Sequence, residues 1–354
     1  MNIVQISNNL PTEKEVTDYF EFVRWGTKKN CCHCGGEHIT KRYEDYRYHC
    51  YECGRKFSVT TNTQLHSTNL SLKTWLFSFA LISDAKKGLS ALQLQRNLGI
   101  SYVTAFRMYH KIRQIMSDGN EHLEGILEMD ETYIGGKPRK YQSAKFGKKY
   151  RNAELDDRIE ELESRFVFEN EAYKKNANSE NAKRGRGTLK TPVAGIVQRN
   201  GNVVAEVMNL TDSASLKRLV RKYVSLPDSV LLTDEYKSYS RFNAVIEHIK
   251  IDHQKMYSYR GLNTNTIEGF WAIVKRGIIG QYHNVSDEYL QNYIDEFCFK
   301  YNNRKYDDMF ETLVFNAMLP PETDFKDLNP QFVKSNQGKR RAKLAEKYAM
   351  SNSI

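Results

Sequence analysis

No apolar run in this chain is long enough to cross a bilayer. The longest, near residues 75–82, falls well short of the roughly 20 residues a spanning helix needs. The opening stretch, MNIVQISNNLPTEKE, lacks the basic region followed by an apolar run that marks an export signal. Neither membrane nor secretion is therefore expected, and the reading is of a soluble, cytoplasmic protein. Acid is in deficit: Lys and Arg number 53 against 43 Asp and Glu, a net charge of +10. That balance suits a polyanionic partner, nucleic acid before acidic membrane. Cysteine is scarce outside one place, five of the six falling between Cys31 and Cys53. In a reducing compartment such clustering argues against a disulfide framework and for a metal.

What is present in that cluster is Cys31-x2-Cys34 and Cys50-x2-Cys53, with 15 residues between the pairs. Two such knuckles supply four thiolates to one tetrahedral zinc, and four protein ligands leave no open position, so the expected zinc is structural. Gly35 and Gly54 follow the second cysteine of each knuckle, where the turn needs a permissive backbone. Cys32 is the odd one out. Arg42, Arg47, Arg55 and Lys56 make the ribbon basic.

Residues 70–117 read as helical, with a tight turn at Gly99 between segments that Ser90 and Ser101 can cap. This is the helix-turn-helix pattern, with Ser101, Tyr102, Thr104, Arg107 and His110 on the candidate recognition helix. Next, GILEMD is strand-like and ends in Asp130. On a strand, Glu128 and Asp130 share a face and Glu131 points away. Residues 140–190 are polar and read as an insertion. Residues 191–210 alternate about Asn200-Gly201 and predict a hairpin. A helix capped by Asp212 or Ser213 follows, and then the apolar run SVLLTD, a buried strand ending in Asp234.

Residues 262–303 carry the most organised pattern. Ile267, Trp271, Val274 and Ile278 recur at helical spacing and predict one inward face. Asn265 or Thr266 is placed to cap that helix. Glu268 and Lys275 stand two turns apart on its shoulder, able to look into a cleft. Asp130, Asp234 and Glu268 together make an all-oxygen set that suits two Mg2+ or Mn2+ ions rather than zinc. Such a pair supports in-line displacement at a phosphodiester, with Lys275 on a phosphate.

The blocks MDETYIGGK, LTDEYKSY and NTNTIEGFWAIVKRGIIGQYHNVSDEYLQNYIDEFCFKYNNR resemble those of the DDE transposases of bacterial insertion sequences. The nearest group is the Merlin-related one with an N-terminal zinc ribbon. The resemblance implies an α/β, RNase H-like core of mixed sheet flanked by helices, preceded by the ribbon and the helix-turn-helix. It implies a metal-holding triad of Asp130, Asp234 and Glu268, with Lys275 as the basic residue two turns on. Some members carry Asn as the third acid; Glu268 here gives no reason to expect a dead site. DNA contact is expected from Ser101, Tyr102, Thr104, Arg107, Lys275, Arg276 and His283. The expected organisation is an N-terminal helical segment (1–30), zinc ribbon (31–58), helix-turn-helix (70–117), catalytic domain (123–317, with the insertion 140–190) and basic tail (318–354). The implied activity is cleavage at terminal inverted repeats and strand transfer by a homo-oligomer on double-stranded DNA. A metal-dependent nuclease on the same fold, or a non-catalytic zinc-ribbon regulator, are the alternatives.

Overall fold

The computed structural model describes residues 1–117, 122–135, 190–234, 239, 242–251, 263–305 and 308–320. All but the last residue of the 140–190 insertion, and the tail beyond residue 320, lie outside the described residues.

Two helices open the chain. Helix α1 (Ile3–Asn9) begins at Asn2, whose side chain accepts from the Gln5 amide; α2 (Glu13–Trp25) begins at Thr12 with Glu15 closing a capping box. The pattern EKEVTDYFEFVRW foretold α2; α1, a turn or two anchored by the buried Ile6, carried too little periodicity to read. The ribbon follows as an antiparallel sheet in the order β1 (Ile39–Arg42), β2 (Arg47–Cys50) and β3 (Lys56–Phe57). Then come α3 (Leu72–Asp84), α4 (Ala91–Leu98) and α5 (Tyr102–Met116). Ser90 accepts from the Gln93 amide and Ser101 from that of Thr104, and Gly99 ends α4 at φ 65°, as the sequence pattern required.

A five-stranded mixed sheet forms the second half. Its strands are β4 (Leu123–Ile134), β5 (Thr191–Gln198), β6 (Val203–Val207), β7 (Val224–Thr233) and β8 (Glu247–Lys250), ordered β6-β5-β4-β7-β8. β4, β5 and β6 run antiparallel, while β7 and β8 run parallel to β4. Helix α6 (Ser213–Tyr223), capped by Asp212, is the crossover from β6 to β7. Beyond β8 lie α7 (Asn265–Gly277), a π-helical turn at Ile278–Tyr282, α8 (Asp287–Asn302) and α9 (Met309–Ala317). One sheet face buries Leu127, Met129, Ile196 and Leu231 against α6 residues such as Leu216 and Val220. The other buries Val193, Val197 and Ala205 against Ile267, Phe270, Trp271 and Val274 of α7 and Ile294 of α8. The result is the three-layer, RNase H-like core that the sequence led us to expect.

The outer edge of β6 is closed by side chains of α8. Asn302 bonds both the amide and the carbonyl of Val203, at 2.7 and 3.0 Å. Gln291 accepts from the Val207 amide at 2.8 Å and donates to the Ala205 carbonyl at 3.2 Å. The two residues lie three turns apart and so share one face of α8.

The helices at the two ends of the described chain share one core. Phe20 of α2, Phe79 of α3, Leu94 of α4, Met108 and Ile112 of α5, and Phe310 and Leu313 of α9 belong to the same buried cluster. The helix-turn-helix is thus packed into a bundle that the C-terminal helix completes.

Candidate active site

The parallel register of β4 and β7 brings the two aspartates to one level. Glu128 stands opposite Leu232, so two residues further on each strand direction reaches Asp130 and Asp234. Neighbouring strands lie about 4.8 Å apart; Asp234 directly follows the last residue of β7, whereas Asp130 lies inside β4, four residues before its end. β7 ends at Thr233 while β4 continues to Ile134, so the pairing of these two strands stops just before the two aspartates. The end of β7 is tied by Thr233, whose hydroxyl lies 2.8 Å from His248 Nε2 and 2.9 Å from the Asp234 carbonyl oxygen. Burial, and then Lys250, hold that imidazole down at about 4, so it is neutral.

Glu268 arrives on α7, which reaches the sheet through two features of β4 and β5. The first is Gly195, the register partner of Asp130: a Cβ there would stand 2.8 Å from Trp271, so only glycine lets the indole lie on the sheet. The second is Glu128. Its buried carboxylate accepts from the Thr266 amide (2.8 Å), the Thr266 hydroxyl (2.8 Å) and the Ile267 amide (3.1 Å). Asn265 and Thr266 therefore do not cap α7, as the sequence had led us to expect. The cap position falls on Thr264, which makes no capping bond, and the first-turn amides are satisfied from another element. The Thr264 hydroxyl instead donates to Glu268 Oε1 at 3.2 Å.

The electrostatics tie the four expected groups together. Burial, then the charges of Asp234 and Glu268, push the Asp130 carboxyl up to about 6, against the Glu131 amide and the Lys275 ammonium. A carboxyl raised by burial and by two neighbouring acids fits a hard cation, whose arrival relieves both the repulsion and the desolvation. Glu131 points to the opposite face of the sheet, beside the buried Tyr239, as the strand alternation predicted. Lys275 and Glu268 are both exposed on α7.

The four expected zinc ligands form one site. The sulfurs of Cys31, Cys34, Cys50 and Cys53 all lie within 4.8 Å of one another. Cys31 to Cys53 and Cys34 to Cys50 both measure 3.7 Å. A tetrahedron with zinc–sulfur bonds of about 2.3 Å has edges of about 3.8 Å, so the cage is already the size of the ion. The amides of His33 and Gly36 point at Cys31 and Cys34 sulfurs at 3.4 Å, and Gly35 and Gly54 take φ of 77° and 69°.

The residues expected to touch DNA fall in two groups. Ser101, Tyr102 and Arg107 are exposed at the start of α5, whereas Thr104 is half-buried with its hydroxyl 2.8 Å from that of Ser101. Arg276 and His283 are exposed at the end of α7 and beyond the π turn, His283 at φ 61°. His110 is corrected: its ring is buried among Phe106, Tyr289 and Tyr293 and faces no groove. Sequence reasoning missed the link between the two groups. The fully buried Glu296 of α8 accepts from Arg113 Nε (2.9 Å), Lys300 Nζ (2.7 Å), Tyr109 (2.7 Å) and Tyr282 (2.9 Å). Arg113 lies between the rings of Tyr109 and Tyr293, at 3.8 and 3.7 Å. Tyr282 of the π turn also approaches Gly88 so closely that a Cβ there has no room.

Among the described residues no helix is long and apolar enough to cross a membrane. Comparison with known proteins finds the following likenesses. Residues 154–302 match the ISXO2-like transposase domain, and residues 11–56 the transposase zinc-ribbon domain. Over 127 residues the chain is 28% identical to an uncharacterized protein in transposable element ISH50 of Halobacterium salinarum; the match spans 35% of this chain and 42% of that protein. Solved structures similar to it include a pre-cleavage Mos1 transpososome (12% identity, 68% of this chain and 78% of that one, TM-score 0.26) and the Mos1 strand transfer complex (12%, 69% and 74%, TM-score 0.27). Both domain matches point the same way: the chain is similar to insertion-sequence transposases at its zinc ribbon and over its ISXO2-like transposase domain.

Proposed function

We propose that this protein binds the terminal inverted repeats of its own element, cuts the DNA there and joins the freed 3′-hydroxyl to target DNA. The observation that carries the reading is the shared level of Asp130, within β4, and Asp234, at the end of β7, with Glu268 within electrostatic reach. In this reading Asp130, Asp234 and Glu268 hold Mg2+ or Mn2+. Bound there, such ions supply an activated hydroxyl and neutralise charge at the scissile phosphate. Lys275 sits two turns along α7 from Glu268, where its ammonium can grip a phosphate oxygen and offset developing negative charge. Asp130 is only partly exposed, which strengthens the charge interactions at its carboxylate relative to open water.

The ribbon (31–58) and the helix-turn-helix (70–117) serve end recognition, and residues 123–317 carry the chemistry. Ser101, Tyr102, Thr104 and Arg107 address the major groove from the start of α5, while Arg276 and His283 follow the backbone toward the site. Two ends cut in one event require at least two copies, so the working form is a multimer on DNA, acting in the cytoplasm at the nucleoid.

The test uses the zinc-loaded full chain, labelled DNA carrying the element's ends, a target plasmid and Mg2+. Cleaved and joined products support the proposal, and Asp130→Asn or Glu268→Gln should reduce both to background. Cleavage without joining would make the protein a nuclease. Binding without either would leave a regulator.

A further inference from the structure

We propose that Glu128 is a positioning residue of the reaction: clamped by Arg199, its carboxylate fastens the first turn of α7 to β4 and thereby fixes Glu268 against Asp130. The proposal rests on the reading of Asp130 and Glu268 given above.

Glu128 and Asp130 share one face of β4, since side chains alternate along a strand. They do not share a fate. Glu128 is fully buried and both its oxygens are engaged: Oε1 takes Arg199 Nε at 2.8 Å and the Thr266 hydroxyl at 2.8 Å, and Oε2 takes the amides of Thr266 and Ile267. A carboxylate so engaged has no oxygen left to offer a cation. It does the work of a missing N-cap, and its charge faces the positive end of the helix dipole. Arg199 extends the clamp one step upstream, its Nη2 donating to the Asn263 carbonyl at 2.7 Å. Residues 263 to 267 are thus held by one ion pair, and Glu268 is the next residue. A shift of that turn moves Glu268 directly, whereas Asp130 and Asp234 stay with the sheet.

The substitution that separates these roles is Glu128→Gln. It keeps size and shape but presents an NH2 to donors, breaking part of the clamp. Full-length, zinc-loaded protein is titrated with Mn2+ alone, without DNA, by calorimetry. Mn2+ affinity is expected to fall about 10- to 100-fold, as for the loss of a group that orients a metal ligand. Cleavage of labelled ends should fall with it and recover in part at high Mn2+, with end-DNA affinity unchanged. Amide exchange in the peptide spanning 263–275 should speed up.

Should Glu128→Gln fail to fold, Thr266→Val decides, because it removes one donor and leaves the ion pair; a loss of about 3- to 10-fold in Mn2+ affinity is then expected. Wild-type Mn2+ affinity and exchange in the folded variant overturn the proposal while Asp130→Asn remains inactive. An Asp130→Asn protein that cuts and joins at the wild-type rate overturns the underlying reading instead.

Discussion

Asp130 pays in stability for its partly buried place beside two other acids. Its carboxyl is raised by burial and by two neighbouring acids to about 6, above the ordinary 3.8. The sign follows: the folded chain binds this proton more tightly than the unfolded one, so stability is lost as pH rises from 3.8 through 6 and stays lost above. Asp130→Asn at pH 8, without divalent cation, should therefore raise stability by up to about 3 kcal/mol while abolishing cleavage, measured by urea denaturation. His110 behaves oppositely on acidification. Burial, then the Arg113 charge, hold it down at about 4, from 6.5. Its contribution is present above pH 6.5 and disappears as pH falls toward 4, because only the unfolded chain takes up the proton. The wild-type protein should lose up to about 3 kcal/mol more than His110→Phe across that window, read from parallel denaturation series. Nothing in the sequence distinguished His110 from the exposed Tyr102 and Arg107, since its burial comes largely from Tyr289 and Tyr293 on a helix far along the chain.

At the level of elements, legibility followed sequence distance. Local signals were readable: the cysteine knuckles, the serine caps of α4 and α5, the hairpin of β5 and β6, and the apolar stripe of α7. The aspartate-bearing strands were readable too, but only the end of β7 at Asp234 was placed correctly: β4 runs four residues past Asp130, held by its antiparallel pairing with β5 as far as Thr191. The start of α7 was not, because its amides are satisfied by Glu128 across 138 positions. A carboxylate two residues before Asp130 on the same face was visible, but its target was not. The π turn was also hidden; it breaks the repeat of α7 just where Tyr282 must turn inward to Glu296. The ribbon supplies the prediction at this scale. Its core of Cys31, Tyr48, Cys50 and Phe57 is separate from the other clusters. Zinc removal by a strong chelator, or Cys34→Ser, should unfold residues 31–57 and expose them to protease while the five-stranded sheet keeps its amide protection. One zinc per chain should be lost, counted by elemental mass spectrometry.

For the whole molecule, α5 and α8 are joined by a buried charge cluster rather than a linker. Glu296 offsets Arg113 from α5 and Lys300 from its own helix, and burial, which would raise its carboxyl, is outweighed by those two cations, holding it at about 2. Removing it strands two buried cations. Glu296→Leu should cost about 3–5 kcal/mol and loosen α5 from α8, whereas Arg113→Met combined with Glu296→Leu should recover part of that loss. The measurement is denaturation of the single and double variants, with proteolysis at residues 85–90 as the local readout. The shared core of α1–α5 with α9 was beyond sequence reading for a similar reason: each helix showed an apolar face, and none showed which face it would meet.

The border of the sheet at β6 carries one more consequence. Gln291 and Asn302 occupy the hydrogen-bonding groups that a visiting strand would need, so that margin is unavailable for lateral growth. In the proposed multimer, copies would therefore not join through this margin, and replacing both amides with alanine would uncover strand groups open to edge-to-edge pairing.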